Sequence, residues 1–275
     1  MTEETQSSAP AVSISIDAYA PRQVAARVES AGIAKALLPA LETVTLAVLA
    51  GAFIAFGGML YTLAITNSGL GFGPERLLGG AAFSLGLILV VIAGAELFTG
   101  NNLIVMAWAD RRITSRALLR NWVLVYFGNL LGAVATALMV HGSGVLMAGD
   151  GAVGHTAEAI AMGKLNLPFH EAIIRGILCN VLVCLAVWMC FAAHSVTGKV
   201  LVIIFPISAF VALGFEHSVA NMYLIPVGLL SSTTLAWDHA LVGAISNLLA
   251  VTLGNIIGGS VLVALVYWVI YLRRT

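Results

Sequence analysis

Two glutamates stand inside apolar stretches of this chain, and each is followed five residues on by an asparagine: Glu96 with Asn101, and Glu216 with Asn221. The segments around them, Gly94-Ala95-Glu96-Leu97-Phe98-Thr99-Gly100-Asn101-Asn102 and Gly214-Phe215-Glu216-His217-Ser218-Val219-Ala220-Asn221-Met222, lie 120 residues apart. Carboxylates are expensive at membrane depth, so they persist mainly where they line a water-filled path or a site. Their expected chemistry is loop-holding. The carboxylates accept hydrogen bonds from backbone N–H groups freed by a broken helix, and the asparagines donate and accept. Direct contact with an anion is not expected of an acid, whereas half-helix N-termini attract anions. Of six histidines, only His217 falls within a span rather than a connector or span end. No second histidine or cysteine stands at metal-ligand spacing beside it, so no metal is expected. An acid–base enzyme built on His217 with Glu216 or Glu96 lacks a nucleophile or cofactor motif.

The elements that position these residues follow from composition. Of 275 residues, 60% are hydrophobic and only 9% charged, against about 25% charged in soluble domains. So few charges cannot cover a soluble globule, and the 28 glycines suit close helix packing in a bilayer. A net charge of zero argues against a nucleic-acid partner. Cys179, Cys184 and Cys190 share one apolar segment and read as packed thiols. The polar start, Met1 to Ser15, has no apolar core of a cleavable signal.

A helix needs about 20 apolar residues to cross the hydrocarbon. Six spans are expected, at about 41–66, 77–109, 118–141, 171–193, 199–230 and 240–271, the second broken near Glu96 and the fifth near Glu216. The stretch 142–170 reads as a glycine-rich connector. Residues 1–40 form an N-terminal segment with a short helix over 21–38, whose Val24, Val28, Ala31 and Leu38 share a face; residues 273–275 form a tail. Ten of the 13 lysines and arginines fall on the side of both termini, leaving Arg76, Lys164 and Arg175 opposite. By the positive-inside rule both termini are cytoplasmic, in a multi-pass protein of the cell membrane.

Gly128-Asn129-Leu130-Leu131-Gly132 in the third span is echoed by Gly254-Asn255-Ile256-Ile257-Gly258 in the sixth. Two three-span units are implied, and an odd number of spans inserts the second upside down. The fold class expected is therefore all-α, with six transmembrane helices in an inverted 3+3 repeat and both breaks at the midplane.

Val91-Ile92-Ala93-Gly94-Ala95-Glu96-Leu97-Phe98-Thr99-Gly100 and Gly176-Ile177-Leu178-Cys179-Asn180-Val181-Leu182-Val183-Cys184-Leu185-Ala186 resemble the two signature motifs of the formate/nitrite transporter family. Phe83-Ser84-Leu85-Gly86-Leu87, Phe215 to Met222 and Tyr267 to Arg273 are similar to its formate-channel branch, over about residues 30–272. The connector around Ser231 to His239 is shorter than is typical of that branch. The resemblance implies an aquaporin-like protomer in a homopentamer, with one pore per subunit and no cofactor. It assigns His217 as the pore histidine, Thr99 as the loop threonine, Lys164 as a vestibule lysine and Asn180 as polar lining, with Asn255 beside the histidine. Its apolar constrictions fall on Phe83, Leu87 and Phe210, with Leu97 and Phe98 flanking the first break. Taken alone, Phe83, Leu87 and Phe210 would read as core packing, Thr99 as a helix cap and Lys164 as a solvated charge.

A bare carboxylate pays tens of kcal/mol to enter a low dielectric. Protonating an acid of pKa near ~3.7 at pH 7 costs roughly 4.5 kcal/mol. Neutralisation is the cheaper way past dry constrictions, so the solute that the resemblance implies, a small monovalent anion with formate first, is expected to be carried with a proton through His217. Nitrite and hydrosulfide fit the same residues, and a neutral-solute facilitator would show no response to a proton gradient.

Overall fold

The computed structural model describes residues 18–232 and 237–273. Among them all regular structure is helical. The polar start, Met1 to Ser15, and part of the short connector, residues 233–236, lie outside the described residues, as does Arg274.

Helix α1 (Pro21–Leu37) starts on a proline, whose missing N–H is no loss in a first turn, and stops before Pro39. It buries Val24, Ala25, Val28, Gly32 and Ala36. Val24 and Val28 thus lie on the expected face, while Ala31 and Leu38 stay half-buried. Helices α2 (Ala40–Ile65), α3 (Phe72–Ala93), α5 (Ser115–Gly142) and α7 (Phe169–Ala192) are each long and apolar enough to cross a membrane, as is the stretch Ala240–Tyr271. That stretch joins α10 (Trp237–Ile256) through a nine-residue π-helical segment, Ile257–Leu265, to α11 (Val266–Tyr271).

The two expected breaks are present. After α3 the chain resumes as a 3₁₀ turn, Gly100–Ile104, and then α4 (Val105–Ala109). The other broken span is divided into α8 (Val196–Ala212) and α9 (Ser218–Ser231). The connector expected over 142–170 holds a helix instead, α6 (Ala152–Leu165). Val153, Gly154, Ala157 and Ala161 form its buried side. It packs so close to α9 that a Cβ on Gly228 would lie 2.4 Å from the Ala157 carbonyl oxygen. Glycines and polar residues disguised a helix that packing, not hydropathy, stabilises. Large apolar side chains such as Phe127, Leu131 and Phe205 remain exposed on the outside, as a surface facing lipid or a neighbouring subunit requires.

Candidate functional site

Both breaks open on a glycine in the left-handed region, Gly94 with φ +80° and Gly214 with φ +72°, a conformation that costs a residue without Cβ little. The next amide turns back, Ala95 to the Val90 carbonyl at 2.9 Å and Phe215 to the Phe210 carbonyl at 2.9 Å. Then Glu96 N donates to Leu46 O at 3.2 Å, and Glu216 N to Arg175 O at 3.3 Å.

Two asparagines satisfy much of what the breaks leave free. Asn129 accepts from Phe98 N at 2.9 Å and donates to Ala47 O at 2.7 Å and Glu96 O at 2.9 Å. Asn255 accepts from Ser218 N at 2.9 Å and donates to Gly176 O at 2.8 Å and Glu216 O at 2.9 Å. Each saturates its side-chain amide on buried backbone, where an unmade bond costs about 1–3 kcal/mol. The flanking glycines let these helices approach. A Cβ on Gly132 would sit 2.0 Å from Val48 O, and one on Gly258 would sit 2.2 Å from Ile177 O.

The glutamate carboxylates do other work than expected. Lys35 Nζ lies 2.5 Å from Glu96 Oε1, and Asn101 Nδ2 donates to Oε2 at 2.6 Å. Asn101 also donates to Asn121 Oδ1 at 3.0 Å, and Asn121 closes the ring on Lys35 O at 3.1 Å. The second half repeats the ring. Lys164 Nζ donates to both Glu216 oxygens at 2.9 and 3.1 Å, and Asn221 to Oε2 at 2.6 Å. Asn221 reaches Asn247 Oδ1 at 2.7 Å, and Asn247 reaches Lys164 O at 3.0 Å. A buried carboxylate needs a counter-charge that a neutral amide cannot supply, so the lysines take it. Lys35, Asn121 and Asn247 are functional-site residues that the sequence reading passed over.

His217 caps α9: its Nδ1 accepts from Ala220 N at 3.0 Å. Its Nε2 lies 2.9 Å from Thr99 Oγ1. With Nδ1 held as an acceptor, the neutral ring carries its proton on Nε2 and donates to Thr99. Because Thr99 Oγ1 accepts from the ring, its own hydroxyl proton is left for a further acceptor. The Phe210 ring stacks on His217 at 5.9 Å, and Phe83 meets Phe210 edge-on at 5.7 Å.

Two cavities open beside the breaks, and His217 lines the second of them. One, of about 430 Å³, is lined by Lys35, Leu87, Leu97 and Lys199. The other, of about 410 Å³, is lined by Phe83, Lys164, Phe210 and His217. Leu87 and Leu97 thus border the first cavity, and Phe83 and Phe210 the second, with His217. Phe98 differs, packing edge-on against Trp122 at 6.1 Å and Tyr126 at 5.0 Å. Asn180 lines neither cavity. It is fully buried and donates to Thr99 O at 3.3 Å and Asn255 O at 2.7 Å, tying one break to the other. The three cysteines are buried and free. Among the described residues no cluster of histidine, cysteine, aspartate and glutamate could hold a metal ion.

This helical architecture has counterparts among known proteins. The sequence profile of the formate/nitrite transporter family matches residues 22–269, and the chain belongs to that family, a family of transporters rather than enzymes. It is 44% identical over 274 residues to the formate channel FocA of Escherichia coli K12, covering 94% of this chain and 96% of that protein. It is 43% identical over 254 residues to a probable formate transporter of Methanothermobacter thermautotrophicus, covering 86% and 91%. Among solved structures it is similar to a pentameric formate channel with formate bound, at 42% identity and TM-score 0.78, covering 85% of this chain and 98% of that one. A channel described as an FNT family ion channel superposes with TM-score 0.81 at 33% identity, covering 90% and 98%. With its apolar helices, this makes the chain a multi-pass membrane protein.

Proposed function

We propose that this protein is a membrane channel for small monovalent anions, formate foremost, which it passes in protonated form with the help of His217. The observation that carries the reading is the Thr99–His217 hydrogen bond of 2.9 Å, which joins the two breaks beside a cavity that His217 lines with Phe83 and Phe210. The imidazole donates to Thr99, which polarises the threonine hydroxyl toward an anion. Held there, the anion takes up the proton that accompanies it from the vestibule and passes Phe83, Leu87, Leu97 or Phe210 as the neutral acid. Lys164 and Glu216 act as a balanced pair that keeps the loop intact, so His217 and Thr99 are the solute's partners at the centre. Asn180 and Asn255 act through the backbone that carries those two.

The protomer is read as two inverted three-span units with the second and fifth spans broken, and the functional unit as a homopentamer with one pore per subunit. Likeness to a pentameric formate channel supports the assembly. Both termini, with residues 1–40, belong on the cytoplasmic side of the cell membrane. Nitrite and hydrosulfide share formate's charge and weak-acid chemistry and are the competing solutes.

Flux in proteoliposomes tests this. Formate uptake driven by an inward proton gradient is expected in the wild type and is lost in His217→Phe. Uptake with unchanged rate and pH dependence in that variant overturns the reading.

A further inference from the structure

We propose that Arg76 and Arg175 form a carboxylate-binding clamp at the mouth of the cavity that contains Lys164 and His217, and that this clamp is the first binding step for an anion from that side. The proposal deepens the channel reading and rests on it.

The placement comes from the second break. Around a Cβ position built on Gly214, the nearest atoms are Arg76 Nη1 and Nη2, both at 3.8 Å, and Arg175 Nη1 at 4.0 Å. Three guanidinium nitrogens from two helices therefore converge on one small volume, and both arginines line the cavity. Glu171 takes only Nη2 of Arg175, at 2.8 Å, leaving the Nη1 that faces Gly214. Arg76 has no ion pair among the described residues, only Phe72 beneath it at 5.2 Å. Its neighbour in sequence, Glu75, is engaged by Ser68 at 2.5 Å. Deeper in the cavity Lys164 is already matched by Glu216. Arg76 is thus the uncompensated cation of this vestibule, with half of a second guanidinium beside it. Two like charges brought together without an acid between them define a place for an anion.

The fold does not require these side chains. Leu46 performs for Glu96 the backbone duty that Arg175 performs for Glu216, accepting the amide of the glutamate. A leucine suffices there. At Gly94, the counterpart of Gly214, nothing lies within 4 Å of the Cβ position. The arginines are an addition to one half only. Planar guanidinium forks match carboxylate geometry in two-point contact, which a monatomic halide or hydrosulfide cannot use. The ligand class is therefore a small planar anion with two terminal oxygens, a monocarboxylate such as formate or, by the same geometry, nitrite.

The test uses full-length protein in proteoliposomes, with initial rates of formate and hydrosulfide flux over a range of concentrations. In Arg76→Gln/Arg175→Gln, KM for formate rises about threefold to tenfold while maximal flux stays unchanged. In Arg76→Lys/Arg175→Lys, attraction persists at low salt but the preference for formate over hydrosulfide falls. An unchanged formate KM in the glutamine pair overturns the clamp, as does a wild-type preference in the lysine pair. Should the glutamine pair fail to assemble, the lysine pair decides alone. Wild-type flux separates the two readings: none overturns the channel and the clamp with it, whereas normal flux with unchanged KM in the variant overturns the clamp only.

Discussion

Tyr126 Oη and Thr252 Oγ1 lie 3.1 Å apart across 126 residues of chain, the same interval that separates Asn129 from Asn255. Ser84 Oγ likewise reaches the Ile204 carbonyl at 3.5 Å across 120 residues, the interval between Glu96 and Glu216. Counterpart residues can touch each other only near an axis relating the units, so these contacts are what the proposed two-fold arrangement needs.

Thr99 should be separable from the fold. Thr99→Val keeps the volume and removes the hydroxyl, at a loss of about 1.4 kcal/mol or tenfold in formate flux. His217→Phe loses flux too, but also the cap on Ala220 N, costing about 1 kcal/mol of stability. Flux assays and thermal melts run in parallel distinguish them. Wild-type flux in Thr99→Val removes the hydroxyl from the mechanism.

The Lys164–Glu216 pair is nearly buried, with side chains 14% and 8% exposed. Lys164→Met strands the carboxylate and is expected to destabilise by about 3–5 kcal/mol. The pair Lys164→Met/Glu216→Gln recovers most of that loss. Lys35→Met is milder, because 31% exposure of Lys35 lets water reach Glu96. Detergent melting temperatures in the order double variant above Lys164→Met would bear this out; equal melting would dismiss the ion pair.

Much of this site was readable in the chain because a bilayer penalises polar residues. Glu96, Glu216, His217 and the Gly-Asn-x-x-Gly echoes stand out against an apolar background. Lys35 and Asn121 do not, since polar residues are unremarkable near helix ends; Asn247, inside the sixth span, was marked only by standing 126 residues after Asn121, and only folding carries all three to the carboxylates. Asn180 was assigned through the resemblance as polar lining, not as a tie between Thr99 O and Asn255 O, which needs three elements in space. Helix α6 escaped because its small residues signal a linker until α9 packs on them.

Backbone contact, not composition, sets which glycines are indispensable. Gly132→Ala and Gly258→Ala push a methyl to 2.0 and 2.2 Å from carbonyl oxygens, so loss of folded protein is expected. Gly163 has nothing within 4 Å, and Gly163→Ala in α6 should stabilise by about 0.5–1 kcal/mol. Expression and melting of the three variants check the contrast.

Glu29, on α1 outside the spans, has its pKa raised by burial and by the neighbouring Asp110 carboxyl, with Arg112 opposing. One of its oxygens, Oε1, is buried without a hydrogen-bond partner. The folded state therefore binds this proton more tightly than the unfolded chain. The resulting stability is complete below the ordinary carboxylate range and disappears as pH climbs through the raised value. Glu29→Gln should melt higher than wild type at neutral pH and show less loss between pH 4 and neutrality; melting curves that stay parallel across that range would count against it.

The amide of Ala220, pinned to the inner nitrogen of the imidazole at 3.0 Å, has a bioenergetic consequence. A lone H⁺ crosses a membrane protein by hopping between atoms that receive on one face and release on the other. Here the hop has nowhere to continue, because a backbone N–H already occupies the lone pair it would need. Under the proposed mechanism, acid equivalents cross only as passengers on a solute, and an idle pore does not short-circuit the protonmotive force.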